Sequence, residues 1–168
     1  MLCAFAALTA RADIAQPEIT MSESAPQVTL RQRDAYQFDI EFAPQLPLLR
    51  SDEPPPLGQG NGPTPAQLLL AAVANCMSSS LVFALGKFKN DARGVTTTAS
   101  AEIGRNDAGR LRVQHITVRI ELGAAAAELQ HLDRILAQFE EFCTVGQSVR
   151  AGIPIDIEVW DGSGARIK

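Results

Sequence analysis

One long apolar segment, residues 66–85, constrains the fold more than any other feature, and it follows a strong helix start. Thr64 suits the N-cap position, Pro65 the first helical position and Gln67 the third position of a capping box. The pattern predicts a helix from Pro65 to about Phe88, roughly 36 Å long. Because this helix is apolar on nearly every side, the rest of the fold has to cover it.

A membrane-spanning helix is the alternative interpretation of this segment. A span needs about 20 mostly apolar residues. The segment instead carries Gln67, Asn75 and the polar cluster Ser78-Ser79-Ser80 near its centre. Polar side chains are costly in a bilayer. We therefore predict a buried core helix.

The segments before this helix predict a hairpin and a loop. Residues 36–42 alternate apolar and polar side chains, and residues 27–33 alternate less strictly, which is typical of half-buried strands. Arg33-Asp34-Ala35 lies near the expected turn. Residues 43–63 contain six prolines and three glycines. That density of helix and strand breakers predicts a loop without regular structure.

A second pair of strands follows the long helix. Residues 95–103 alternate, Asn106-Asp107-Ala108-Gly109 is typical of a turn, and residues 111–122 alternate again. The apolar positions change phase near His115, which predicts a β-bulge.

A second helix and a last strand complete the expected order. We predict that the helix begins near Ala124 and ends at Cys143, because an apolar stripe recurs at helical spacing. Pro154 opens the last strand, so that strand should lie at a sheet edge or begin there. The order hairpin, helix, hairpin, helix, strand predicts the α+β class. Residues 25–168 should form a single domain.

Composition excludes several kinds of function. The chain has 168 residues and a formal net charge of -4. Nucleic-acid binding needs a basic face. No run of Lys or Arg indicates a membrane surface patch. Three cysteines do not form the framework of a secreted disulfide protein, and neither they nor His115 and His131 have the spacing of a zinc site. We expect no metal and no nucleic-acid or membrane partner.

The N-terminal residues 1–24 have an apolar run but no positive charge before it, so they do not match a secretory signal. We expect an extension without a role for Cys3, a start at Met1 or Met21, and a cytoplasmic protein.

Cys76 and Cys143 are the two residues whose positions suggest chemistry. Cys76 lies in the middle of the long helix, and Cys143 continues the apolar stripe of the second helix, so both should face the core. Buried thiols are usually inert and pack as small apolar groups. A reactive thiolate needs a nearby positive charge or helix N-terminus. Cys76 is too deep in its own helix for the latter, so an arginine from another segment is needed, and the candidates are Arg31, Arg33, Arg50 and Arg150.

Two segments, residues 62–77 (GPTPAQLLLAAVANCM) and 142–154 (FCTVGQSVRAGIP), carry a family resemblance. Together they resemble the OsmC/Ohr family of bacterial thiol-dependent peroxidases, over about residues 26–162. The resemblance implies antiparallel sheets wrapped around two central helices in an intertwined homodimer, with each active site at the dimer interface.

The resemblance also implies a reaction and its partners. Cys76 would attack an organic hydroperoxide, or hydrogen peroxide, and form a sulfenic acid that Cys143 converts to a disulfide. Arg33 would hold its positive charge near the reactive sulfur, and a dithiol such as a lipoyl group would reduce the disulfide. No metal, flavin or haem cofactor is implied.

One departure keeps alternatives open. Family peroxidases usually carry a Glu after the helix-opening proline, where it holds the arginine, and this chain has Ala66. Arg31 or Arg50 could replace Arg33 in that role. The alternatives are an OsmC-like dimer that binds a small hydrophobic ligand, with redox-sensitive or structural cysteines, and an acyl-transfer enzyme with Cys76 as nucleophile. For an acyl-transfer enzyme, the sequence shows no evident His partner for Cys76.

Overall fold

The computed structural model describes residues 25–168. The expected N-terminal extension, with Cys3, lies outside the described residues. Six strands and three α-helices make up the described chain, in the order β1 Thr29–Asp34, β2 Gln37–Glu41, β3 Leu49–Ser51, α1 Pro65–Lys87, β4 Val95–Arg105, β5 Leu111–Leu122, α2 Leu132–Gln138, α3 Thr144–Arg150 and β6 Ile155–Trp160. Short 3-10 turns cover Ala126–Glu128 and Phe139–Phe142. The predicted α+β class is confirmed.

The first sheet has the order β1-β2-β3 and contains the predicted hairpin. Leu30 pairs with Ile40, and Ala35 turns the chain with a positive φ of 34°. The expectation that residues 43–63 form no regular element is wrong, because β3 pairs with β2 inside that range. The six residues between Pro47 and Pro54 contain no proline, so all of them keep the backbone N–H that a ladder needs.

The second sheet has the order β4-β5-β6. Strands β4 and β5 are antiparallel, and their register shifts where Glu102 pairs with His115 but Ile103 pairs with Val113. The skipped residue is Gln114, so the bulge predicted near His115 is confirmed. Strand β6 lies at the sheet edge, as Pro154 predicted, but it runs parallel to β5. The helical segment between β5 and β6 supplies the crossover that a parallel pair requires.

Helix α1 begins with the predicted capping box. The Gln67 N–H donates to Thr64 Oγ1 at 3.3 Å, and the Thr64 N–H donates to Gln67 Oε1 at 2.8 Å. Val73, Met77 and Leu81 are completely buried on the face that packs against the second sheet and the later helices. By length and composition, α1 is also the one helix among residues 25–168 that could cross a membrane. Its packing is that of a core helix with one uncovered face.

The predicted second helix differs most from the structure. It does not begin near Ala124: a 3-10 turn comes first, and His131 adopts a left-handed conformation with φ 57°, which delays the start of α2 to Leu132. It also does not end at Cys143. A second 3-10 turn follows α2, and Cys143 has extended backbone (φ -86°, ψ 93°) as the N-cap of α3. The apolar stripe survives these breaks, because Leu136 and Phe139 are buried.

Candidate active site

The structure brings Cys76 of α1 and Cys143 of α3 together. Both cysteines are free, and their side chains are hydrogen-bonded to each other. Cys76 is half-buried, whereas Cys143 has no exposed surface. We call these two residues the thiol pair.

Gly146 allows α3 to approach the thiol pair closely. The Gly146 N–H donates to Cys143 Sγ at 3.2 Å, so the Cys143 side chain caps the N-terminus of α3. A Cβ at Gly146 would lie 2.8 Å from Cys143 Sγ and 2.2 Å from Met77 Cε. Sequence reasoning missed this residue, although a glycine directly inside the first turn after a candidate cysteine was a visible signal.

The surroundings make the two thiols chemically unequal. Burial works to raise the pKa of Cys76, but hydrogen bonds to its sulfur outweigh burial and lower that pKa below its ordinary value. The donors are the Cys143 thiol and the backbone N–H groups of Val145, Gly146 and Thr144. Burial, together with the hydrogen bond to Cys76, raises the pKa of Cys143 to about 11. Thiolate character is therefore concentrated on Cys76.

The source of this stabilisation differs from the expected one. An arginine near Cys76 was expected, because Cys76 lies too deep in α1 for the N-terminus of that helix to lower its pKa. Neutral groups lower the pKa instead, and three of them are backbone amides in the first turn of α3. A helix start that follows Cys143 was invisible in the sequence, because the apolar stripe continued through it.

Cys76 opens into a cavity of about 380 Å³. Its other lining residues are Ser79, Ser80, Phe83 and Phe142. The rings of Phe83 and Phe142 meet edge to face, with centroids 6.2 Å apart, and we call them the aromatic wall. Lys87 Nζ lies 4.5 Å from the Phe83 centroid and 4.7 Å from the Phe142 centroid. The cavity is mainly apolar, and the Lys87 ammonium lies close to both rings of the aromatic wall.

The candidate arginines of the first sheet are held by carboxylates. Arg33 Nε lies 2.5 Å from Asp39 Oδ2, Arg50 Nε lies 3.1 Å from Asp39 Oδ1, and Arg31 pairs with Glu41. The first turn of α1, where Ala66 lies, contains no acidic residue. Asp39 is thus the carboxylate that holds Arg33. Whether Arg33 reaches Cys76 stays a prediction.

Arg150 is engaged elsewhere, in a cluster that supports Cys143. Arg150 Nη2 and Lys168 Nζ each lie 2.7 Å from a Glu140 carboxylate oxygen. Burial works to raise the pKa of Glu140, but the hydrogen bonds and charges of Lys168 and Arg150 lower it. The Glu140 carbonyl accepts from the Cys143 N–H at 3.0 Å. The cluster therefore anchors the turn that presents Cys143.

The histidines lie away from the thiol pair. His115 Nε2 is 3.1 Å from Asp156 Oδ2 on the second sheet, and the His131 ring packs 5.0 Å from that of Phe88. Among residues 25–168, no group of three or more His, Cys, Asp or Glu side chains is arranged to hold a metal ion.

Comparison with known proteins gives the relatives of this chain. Residues 58–158 match the OsmC-like protein family. Peroxiredoxin OsmC of Escherichia coli is 28% identical over 98 residues, which cover 58% of this chain and 68% of the relative.

Solved structures share the fold at lower identity. An organic hydroperoxide resistance protein OsmC from Legionella pneumophila aligns with a TM-score of 0.65 at 15% identity, over 83% of this chain and 98% of that one. The organic hydroperoxide resistance protein OhrB of Bacillus subtilis aligns with a TM-score of 0.63 at 16% identity, over 82% and 99%. The thiol pair lies within the matched region, and the chain belongs to the OsmC-like protein family.

Proposed function

We propose that this protein is a thiol-dependent peroxidase that reduces organic hydroperoxides in oxidative stress defence. The observation that carries the proposal is the unequal thiol pair: Cys76 has a lowered pKa and an open cavity, and Cys143 is buried beside it with a raised pKa. A peroxidase of this kind needs one thiol that attacks as a thiolate and a second that stays protonated until it is used.

The reaction has two steps at the thiol pair. The Cys76 thiolate attacks the terminal peroxide oxygen, the O–O bond breaks, and the alkoxide takes up a proton to leave as an alcohol. Cys76 is oxidised to a sulfenic acid. Cys143 then attacks the sulfenic sulfur and forms an intramolecular disulfide with loss of water. A dithiol of the lipoyl type, or another thiol, reduces the disulfide and completes the cycle.

The cavity supports an organic substrate. Phe83 and Phe142 border the space in front of Cys76, so an alkyl or aryl group on the peroxide would lie against the aromatic wall. Apolar surface that leaves water on binding contributes favourably. The names of the E. coli, L. pneumophila and B. subtilis relatives point to the same chemistry.

The proposed assembly is a homodimer. The first sheet and α1 border an apolar groove of about 540 Å³ whose lining includes Val28, Leu30, Ile40, Phe42 and Leu68. Val28, Leu30 and Phe42 are about half exposed. Within the described residues, the strands β1–β3 pack closely only on one another. Large exposed apolar faces mark association sites, so a second copy of the chain is the occupant we propose.

The proposal also includes an arginine near Cys76 and a location that supplies the reductant. Asp39 orients Arg33, which would approach Cys76 once two chains associate, and Arg31 and Arg50 are the alternatives. The expected location is the cytoplasm, where thiol reductants are available.

Thiol titration tests the proposal. Free thiols are counted before and after one equivalent of cumene hydroperoxide, and we expect two to be lost in each chain. Cys76→Ser should abolish the loss, whereas Cys143→Ser should leave a sulfenic acid that dimedone traps. If no thiol is lost within minutes, the proposal fails. The apolar cavity beside Cys76 then favours the second candidate, a dimer that binds a small hydrophobic ligand. A stable acyl adduct on Cys76 would instead indicate acyl transfer.

A further inference from the structure

We propose that Gly146 and Ser80 together prepare Cys143 for the disulfide-forming step: Gly146 positions the sulfur and donates a backbone hydrogen bond to it, and Ser80 donates a hydroxyl hydrogen bond. The inference rests on the proposed peroxidase function and assigns two residues to its second step. Both residues contact the Cys143 sulfur, which reacts in that step.

Gly146 leaves room for the Cys143 sulfur and also donates a hydrogen bond to it. Gly146 is buried, and its N–H lies 3.2 Å from Cys143 Sγ. The Cβ of any other residue would come within 2.8 Å of that sulfur and 2.2 Å of Met77 Cε. Met77 has a long flexible side chain whose end can move, whereas Cys143 Sγ is joined to its Cα through Cβ alone and can move only by rotation about the Cα–Cβ bond. A side chain at this position would therefore displace the sulfur from Cys76.

Ser80 is the second donor. It lies one helical turn after Cys76 on α1, it is only 6% exposed, and it lines the same cavity as Cys76. Buried hydroxyls are costly unless they are paired. A hydrogen bond from this hydroxyl works to lower the pKa of Cys143, against the larger opposing effect of burial.

The step needs these donors because Cys143 has to attack as a thiolate. In the reaction the S–O bond of the Cys76 sulfenic acid breaks and the S–S bond forms. The Cys143 proton leaves with the hydroxide as water. The sulfenic sulfur is reduced and the Cys143 sulfur is oxidised, so no further oxidant is required. Negative charge accumulates on the Cys143 sulfur before it attacks. Two neutral hydrogen-bond donors stabilise that charge.

Single-turnover kinetics of Gly146→Ala and Ser80→Ala test the proposal. Cumene hydroperoxide is mixed with each protein, and Cys76 oxidation and disulfide formation are followed separately by acid quench and mass spectrometry, with dimedone as the sulfenic-acid trap. Cys76 oxidation is measured in the same experiment, so that the rate of disulfide formation is taken from the sulfenic acid already formed in each variant. Disulfide formation should slow by about tenfold in Ser80→Ala, the change that loss of one hydrogen bond to a charged group predicts. It should slow at least as much in Gly146→Ala, which keeps the backbone N–H but places a Cβ against Cys143 Sγ. The dimedone adduct should accumulate in both variants.

Matched controls separate this role from general destabilisation. Gly152→Ala places a Cβ where, among residues 25–168, no atom beyond its chain neighbours lies within 4 Å, and Ser148→Ala removes an exposed hydroxyl whose one hydrogen bond in that part of the chain is to Thr144 O. Both should form the disulfide at the unsubstituted rate. Ser80→Ala removes a single atom, so it tests the idea even if Gly146→Ala lowers the melting temperature.

Diamide distinguishes failure of this proposal from failure of the peroxidase function. Diamide modifies Cys76 directly, and Cys143 then displaces the adduct without any peroxide. If diamide forms the disulfide more slowly in both variants, the inference is supported even if the protein does not react with peroxides. Disulfide formation within twofold of the unsubstituted rate in both variants overturns it, and so does a failure of the unsubstituted protein to form the disulfide with either oxidant.

Discussion

The thiol of Cys143 is hydrogen-bonded to the sulfur of Cys76, and this contact acts in opposite directions on the two residues. It lowers the pKa of Cys76 because it stabilises the thiolate, and it raises the pKa of Cys143 because the donated proton becomes harder to remove. Together with the burial of Cys143 and the backbone amides near Cys76, this contact separates the chemical roles of two otherwise similar side chains.

The first prediction concerns the titration of the thiol pair. In a Cys3→Ser background, Cys76 should react with iodoacetamide at a pH below that of an ordinary thiol, and Cys143 should react only as the pH approaches about 11. Cys143→Ala removes a donor to the Cys76 thiolate, so the alkylation curve of Cys76 should move to higher pH. Alkylation rates from about pH 5 to about pH 11 measure both effects. Superimposable Cys76 curves in the two proteins would contradict the prediction.

The second prediction concerns the apolar groove. Leu30→Asp places a charge on the face that we assign to a second chain, so the variant should be monomeric by light scattering coupled to size-exclusion chromatography. Thr29→Asp is the matched control, because the neighbouring residue of β1 points to the other face of the strand and should leave the dimer intact. A monomeric unsubstituted protein, or a dimeric Leu30→Asp variant, would refute the assignment.

The third prediction concerns the anchor of the Cys143 turn. Glu140→Gln removes the charge that pairs with Arg150 and Lys168, and it leaves both cations without a counter-charge. We expect the free energy of unfolding in urea to fall by about 1–3 kcal/mol. Glu141→Gln is the control, since Glu141 is exposed and forms no ion pair within residues 25–168, and it should change stability little. If Glu140→Gln and Glu141→Gln are equally stable, Glu140 does not anchor the turn that presents Cys143.

The fourth prediction concerns the C-terminal turn and acid. Hydrogen bonds lower the pKa of Asp161 to about 2, first from the Ser163 hydroxyl and then from the N–H groups of Ala126 and Ala165. A lowered pKa in the folded state stabilises the protein above the ordinary Asp range, and that contribution is lost as the pH falls toward about 2.

Asp161→Asn should accordingly be less stable than the unsubstituted protein near neutral pH, with a difference that shrinks below about pH 4. Urea unfolding at several pH values measures this. Asp107→Asn, in the exposed β4–β5 turn, should show no such pH dependence. A constant difference between Asp161→Asn and the unsubstituted protein across the acid range would show that the carboxylate charge does not matter.

Local sequence patterns determined most of the secondary structure. The capping residues Thr64 and Gln67 placed the start of α1, because capping depends on hydrogen bonds within four residues. The phase change near His115 placed the bulge, because the alternation of apolar side chains is a property of one strand. The same local rules failed at β3 and at the second helix. Three extended residues between prolines form a strand only because β2 offers them a partner, and His131 interrupts a helical pattern through its backbone conformation alone.

The sequence by itself identified Cys76 and Cys143 as residues facing one core, and it indicated the family through their flanking segments. Only the tertiary structure decided how they differ. The pKa of Cys76 is lowered by hydrogen bonds from the Cys143 thiol and from the amides of Val145, Gly146 and Thr144, which are distant in the chain and lie at a helix start that no periodicity revealed. Hydrogen bonds and burial depend on distances between segments, and those distances exist only once the chain has folded.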